Sequence, residues 1–332
     1  MALQKSILEH PIPLDTQEAI AVRFWGSKGF KLEHLAPYFQ YYTEQCRIIY
    51  LSLKSSLPLK THCDILEIAS DVLSGLPRSE VKESLVARYT NLDQDSEEIV
   101  DACIDLTVRL VFMLDVGHLR NTFTGRPKLV WGTGSIHEFM RLEFPESHSN
   151  HNSTIRLQKG FHIYNMVRIA GFRIELTTNL LEHLQLRDQD QTVTIFHHAS
   201  FLHSQQGSPL FPKGFIDETL ATLALLFPQG NRNARKWYNS QLSPDELDPN
   251  ILKCGSAQRR IHRYKYWHDR LVVLKEEFDE SKPSTLSQWW NDRREGTQWY
   301  TLWVAISFTL LFGLIQTVVG ILQLYKAYYP ST

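Results

Sequence analysis

The run from Leu302 to Leu324, LWVAISFTLLFGLIQTVVGILQL, contains no Asp, Glu, Lys or Arg. As a helix it would extend about 34 Å at 1.5 Å per residue, against a bilayer hydrocarbon core about 30 Å thick. A helix pairs every backbone group internally, which is the condition for crossing lipid. The flanks fit a span. Trp299, Tyr300 and Trp303 cluster at one end, and Tyr325, Tyr328 and Tyr329 at the other. Amphipathic rings at both ends of an apolar run form interfacial belts, and Lys326 is placed to snorkel from the far end. The reading is one C-terminal transmembrane helix over residues 301–325.

Charge around the run sets an expected orientation. Arg293 and Arg294 precede it with Lys282 further back, and Lys326 alone follows it. That bias places the N-terminal bulk in the cytosol. The opening segment MALQKSILEHPIPLDTQ has no apolar signal region. The expectation is a single-pass, tail-anchored protein. Asn152-Ser153-Thr154 would then face the cytosol unmodified. A long span with one basic residue beyond it favours the endoplasmic reticulum or a later compartment over the mitochondrial outer membrane.

Within the run, Thr309, Gly313, Gln316, Gly320 and Gln323 recur at spacings of four and three, which gathers them on one helix face. Gln316 lies near the bilayer midplane, where an amide needs a partner. Gly313 and Gly320 let a second backbone approach. This face is read as a packing surface for self-association or another membrane helix. A pore lined by Gln316 and Gln323 is a further reading.

Roughly 280 residues lie outside the span, enough for one large domain or two smaller ones. A formal charge of −1 excludes a generally basic nucleic-acid binder. Cys46, Cys63, Cys103 and Cys254 show no CxxC spacing and read as reduced thiols. No cofactor is implied. The fold expected is mainly α, a helical cytosolic body with a short β-strand pair. Residues 1–30 read as an irregular arm and 31–145 as a helical bundle. Residues 155–280 read as a mainly helical second part with two short strands, and 281–300 as a juxtamembrane collar.

The periodicities behind that division are specific. Leu35, Phe39, Tyr42, Cys46, Ile49 and Leu53 form one helical face. Further helices are expected from Asp64 to Leu73, after Ser79 as an N-cap, and over EEIVDACIDLTVRLVFML, where Arg109 sits off the apolar face and reads as solvated. Lys128 to Trp131 reads as a short strand and IHEFMRLEF after Ser135 as a helix. HIYNMVRIAG reads as a helix closed by Gly171. Phe172–Leu176 and Thr192–Phe196 are the strand pair, with a helix over LLEHLQL between them, capped by Asn179. IDETLATLALLF is a buried helix, and one long helix is expected from Ala257 to about Glu280. In the collar, Trp289 and Trp290 beside Arg293 and Arg294 suit a membrane interface.

Four strings occur together in order: IDLTVRLVFMLDVG, KLVWGTGSIHEFMRLEF, TTNLLEHLQL with VTIFHHASFLH after it, and the terminal LWVAISFTLLFGLIQTVVGILQLY. From about residue 75 onward the chain resembles a group of uncharacterised filamentous-fungal proteins with a helical body and a C-terminal membrane segment. The resemblance implies the architecture and assigns no chemistry.

Candidate chemistry is sparse. His197, His198 and His203 lie in FHHASFLH, and His148 and His151 in HSNH. Their spacing does not match a helical HExxH site. Asp188-Gln189-Asp190 is read as a solvated turn rather than a metal-holding acidic pair. Gly132-Thr133-Gly134-Ser135 precedes a helix but lacks the Lys of a phosphate loop. Neither GxSxG nor a papain-like cysteine signature is present. Between Lys253 and Arg270 there are six basic residues against the single acid Asp269. Arg259, Arg260, Arg263 and Lys265 in that stretch are read as an anionic-lipid contact surface, and no nucleic-acid partner is expected. The leading functional reading is a non-enzymatic membrane-tethered interaction or assembly module. The alternative is a membrane-bound enzyme with its site near His197 and His198. The third is a membrane-active oligomer or pore.

Overall fold

In a computed structural model of the chain, the described residues are 2–26, 31–89, 97–117, 129–147, 155–187, 191–241, 243, 246–281 and 296–328. Two helices precede the centre of the body: α1 (Leu14–Trp25) and α2 (Ala36–Leu53). Then come α3 (His62–Leu73), α4 (Arg78–Arg88) and α5 (Glu97–Phe112). The remaining body helices are α6 (Ile136–Glu143), α7 (Ile163–Arg168), α8 (Ala199–Ser204), α9 (Phe215–Leu226), α10 (Arg232–Asn239) and α11 (His268–Glu280). The last, α12, spans Gly296–Tyr328. One hydrophobic core runs through the body from Ile7 to Phe278.

α5 is the axis of the N-terminal half. Every residue from Cys103 to Phe112 is buried, so it is apolar-packed all round rather than along one stripe. A buried helix end leaves carbonyls that need donors. Here they come from other elements. Tyr41 donates to the Arg109 carbonyl (3.3 Å), Tyr38 to Leu110 (2.7 Å) and the Trp25 indole to Val111 (3.1 Å). Met113, in the left-handed region at φ 53°, then turns the chain away. Arg109 is not solvated as its position predicted. It is 2% exposed, and its guanidinium donates to the Val116 carbonyl (3.0 Å) and to Gln45 Oε1 (3.4 Å). With α5 enclosed on all sides there is no solvated face for Arg109 to occupy.

Charge is also buried one turn earlier on the same side of α5. Arg78 reaches Asp105 (2.8 Å) and Asp101 (2.6 Å) and lies over the Trp131 ring. Gly117, at φ +87°, passes so close to Asp105 that an added Cβ would fall 1.9 Å from its carboxylate.

The expected strand pair forms, within a larger sheet. β1 (Arg173–Thr177) and β3 (Thr192–Phe196) pair in parallel, Arg173 opposite Thr192 and Thr177 opposite Phe196. A third strand, β2 (Gln185–Arg187), pairs antiparallel with β3 and completes the order β1-β3-β2. β3 is buried at every position, as a central strand covered on both faces must be.

Other expectations change in detail. Residues 14–25 of the supposed arm are helical, because Ile20, Ala21, Phe24 and Trp25 find the core. The segment LLEHLQL is a 3-10 turn capped by Asn179, followed by β2. The free edge of β3 offers Gln185–Arg187 more backbone bonds than one isolated turn of helix would. α4 starts at Arg78 with Pro77 as its cap, so Ser79 lies inside its first turn. Leu129 makes only an isolated bridge to Val116. The long helix expected from Ala257 is α-helical only from His268, after a short 3-10 turn at Ile261–Arg263. Upstream, Glu218 accepts the backbone N–H groups of Lys265, Tyr266 and Trp267, which holds that segment in an irregular turn.

A cleft at the carboxyl ends of the parallel strands

β1 and β3 both run toward a cleft of about 430 Å3. Leu176 and Thr178 enter it from the end of β1, and His197 and His198 from the residues just past β3. α2 closes the other wall with Gln40, Tyr41, Glu44 and Gln45. The crevice beyond the carboxyl ends of parallel strands is the usual ligand position in open α/β sheets.

His197 and His198 are 3% and 2% exposed, with ring centroids 4.3 Å apart. Nδ1 of His197 and both ring nitrogens of His198 have no hydrogen-bond partner among the described residues. Burial pushes the His197 pKa down from 6.5 to about 4. Burial, and then the neighbouring His197, push His198 well below 6.5. Both rings are therefore neutral at physiological pH. Neither meets a carboxylate or thiol within hydrogen-bond distance among the described residues, the arrangement that would mark a general base. Among those residues, no group of three His, Cys, Asp or Glu side chains is placed to hold a metal.

A larger cleft, about 840 Å3, lies between α6 and the loop 207–214, lined by Met140, Phe144, Phe211 and Lys213. Its two carboxylates are engaged, Glu146 with Lys265 and Asp217 with Gln206. It is lined by one residue carrying an orphaned buried atom, Oε1 of Gln205. The smaller cleft has three such atoms in two of its lining side chains, each shielded from solvent.

The other sequence candidates are dispersed. Arg259 donates to the Gln158 carbonyl and Lys265 pairs with Glu146, while Arg260 and Arg263 are exposed. The aromatic residues between them face inward, since Tyr264 and Trp267 are each 1% exposed. His203 contacts Gln206, away from the paired imidazoles. The glycine turn before α6 holds no anion site. Glu138 already fills that helix end, accepting the Ser135 N–H at 3.1 Å in a capping box. His148, His151, Asp188, Asp190, Trp289, Trp290, Arg293 and Arg294 lie outside the described residues, as does the side chain of Trp299.

In α12, residues Tyr300–Lys326 form a helix long and apolar enough to cross a membrane, with mean hydropathy 2.1 and none of it buried. Thr309, Gly313, Gln316, Gly320 and Gln323 fall within an arc of roughly 80° at 100° per residue. All five are exposed, and a Cβ added at either glycine would meet nothing within 4 Å. The Thr309 hydroxyl bonds back to the Ala305 carbonyl (2.9 Å), so it needs no outside partner. Trp303 stands at the N-terminal end, and Tyr325 and Lys326 at the other.

The α2 wall of the cleft had escaped sequence reading. Its signal is present. Gln40 and Glu44, and Tyr41 and Gln45, are i,i+4 pairs beside the apolar face of α2, but such pairs are also ordinary solvated positions. Comparison with known protein families, with curated proteins and with solved structures finds no match.

Proposed function

We propose that this chain is a single-pass, tail-anchored membrane protein acting as a tethered interaction or assembly module, with its helical body in the cytosol. The observation that carries the reading is α12. It exposes Leu310, Leu314, Ile321 and Leu324 at 64–68% each, and no other described element covers them. Apolar surface of that extent needs lipid or another apolar helix. Among the described residues His197 and His198 have no carboxylate or thiol partner, which supports a binding role over general acid–base chemistry. The basic bias before the span supports the orientation. The endoplasmic reticulum or a later compartment is the preferred membrane.

The Gly313 and Gly320 face is the assembly element in this reading. The test is the oligomeric state of the full-length protein in mild detergent, beside a Gly313→Leu, Gly320→Leu double variant. A defined oligomer that the variant loses is the expected result. If both run as monomers, the helix is a tether only. Alkaline extraction of membranes from expressing cells tests the anchor itself. Release into the soluble fraction would sink it.

A further inference from the structure

We propose that the open edge of β1 pairs with the same edge of a second copy of this chain, antiparallel about a two-fold axis at Ile174. The inference rests on the assembly reading above and deepens it, giving the body a contact of its own beside that of α12.

β1 is an edge strand, since the sheet order is β1-β3-β2. Its bonds to β3 use alternate residues. The Arg173 N–H donates to the Gln191 carbonyl (2.8 Å), and the Thr177 carbonyl accepts the His197 N–H (3.4 Å). Ile174 and Leu176 therefore turn their N–H and C=O groups to the opposite side. No described strand pairs with them there. Such an edge is a template for a further strand.

The side chains select that strand and its register. Arg173 and Glu175 are exposed on one face of β1, and neither has a side-chain partner among the described residues. Ile174 and Leu176 are half-buried on the other face and pack against the core. Across a shared edge, residues whose backbone groups point outward must lie opposite one another. With Ile174 opposite itself, each copy's Arg173 faces the other copy's Glu175, twice by symmetry. These are non-hydrogen-bonded positions, where facing side chains come closest. The apolar face continues across the same seam, with Leu176 opposite Phe172. A two-fold axis at Arg173 or at Glu175 instead sets like charges against each other. An axis at Leu176 sets Glu175 against Thr177 and leaves it without a cation. Charges on an edge strand ordinarily bar pairing; here they bar the neighbouring registers and permit one.

The test uses full-length protein in mild detergent. Hydrogen exchange of the peptide covering 172–177 is read by mass spectrometry, and oligomeric state is measured on the same samples. The expected result for wild type is an oligomer with slow exchange at the Ile174 amide. Arg173→Glu and Glu175→Arg each set like charges opposite at two places, and each should speed that exchange about tenfold or more. An equimolar mixture of the two variants recreates both opposite-charge pairs between unlike copies, so slow exchange should return. Both side chains are exposed, so neither change touches the core. Exchange that neither variant alters, or that the mixture fails to slow, overturns the proposal. An oligomer whose Ile174 amide exchanges freely also overturns it, and leaves the α12 contact standing. Slow exchange that survives Gly313→Leu, Gly320→Leu supports the strand contact and counts against the α12 face alone.

Discussion

Acidification should destabilise the body through His183, and the size of the effect follows from one chain of hydrogen bonds. The Phe196 N–H donates to His183 Nδ1 (3.2 Å), which leaves the ring proton on Nε2. Nε2 then donates to the Thr222 hydroxyl (2.6 Å), and that hydroxyl donates to the Thr219 carbonyl (2.6 Å). A proton added to Nδ1 would face an N–H donor. Burial first, and the Arg270 guanidinium second, push the His183 pKa down from 6.5 to about 3. An unfolded chain binds that proton near pH 6.5. Stability from neutral His183 is therefore complete above pH 6.5, falls as the pH drops below it, and levels off below about pH 3. Linkage gives a loss of about 2 kcal/mol between about pH 7.5 and about pH 5, tending to roughly 5 kcal/mol at the acid limit. His62 and His197, both pushed to about 4 by burial, act in the same direction. Asp105, Glu218 and Asp248, raised by burial, act in the opposite one. All of these remain in His183→Gln, whose amide can still donate and accept. The assay is denaturant unfolding of wild type and His183→Gln in the same detergent, followed by tryptophan fluorescence. Trp267 is a nearby reporter, with its ring 4.8 Å from His183. The variant should lose about 2 kcal/mol less than wild type over that interval. Parallel pH profiles for the two proteins would refute the reasoning.

Three substitutions test the body independently by the same unfolding assay. Tyr38→Phe removes the donor to the buried Leu110 carbonyl and should cost about 1–2 kcal/mol, whereas a neutral result would mean water replaces it. Asp105→Ala leaves Arg78 with only half its ion pairing and should cost about 3 kcal/mol, with Asp105→Asn closer to wild type. Gly117→Ala forces a side chain onto both a left-handed backbone and the Asp105 carboxylate. It should lower the unfolding midpoint more than Gly230→Ala, which has the same backbone sign but open space around it.

The body was legible where one periodicity dominated. α2 buries Phe39, Tyr42, Cys46 and Ile49 as their spacing requires, with Leu35 buried just before it, and the capping box at Ser135 forms as its local pattern allows. The capping box needs only neighbours within four residues. β2 was not legible, because three residues become a strand only when a distant edge is available to pair with. The same holds for His197 and His198. Their adjacency was visible, but the α2 wall that encloses them comes from residues more than a hundred positions away.

What the sequence by itself determined is a C-terminal helix long and apolar enough to cross a membrane, since twenty-three residues without an ionised side chain leave no charged face to turn to water. It also determined the helices whose apolar stripe and caps are local. Only the tertiary structure decided which polar side chains are buried. Arg109 and Ser79 look alike on a helical wheel, both polar and beside an apolar face. One lies in the core because a surrounded helix has no outer face, and the other is exposed. Burial is set by what covers a residue, and the cover is supplied by segments distant along the chain.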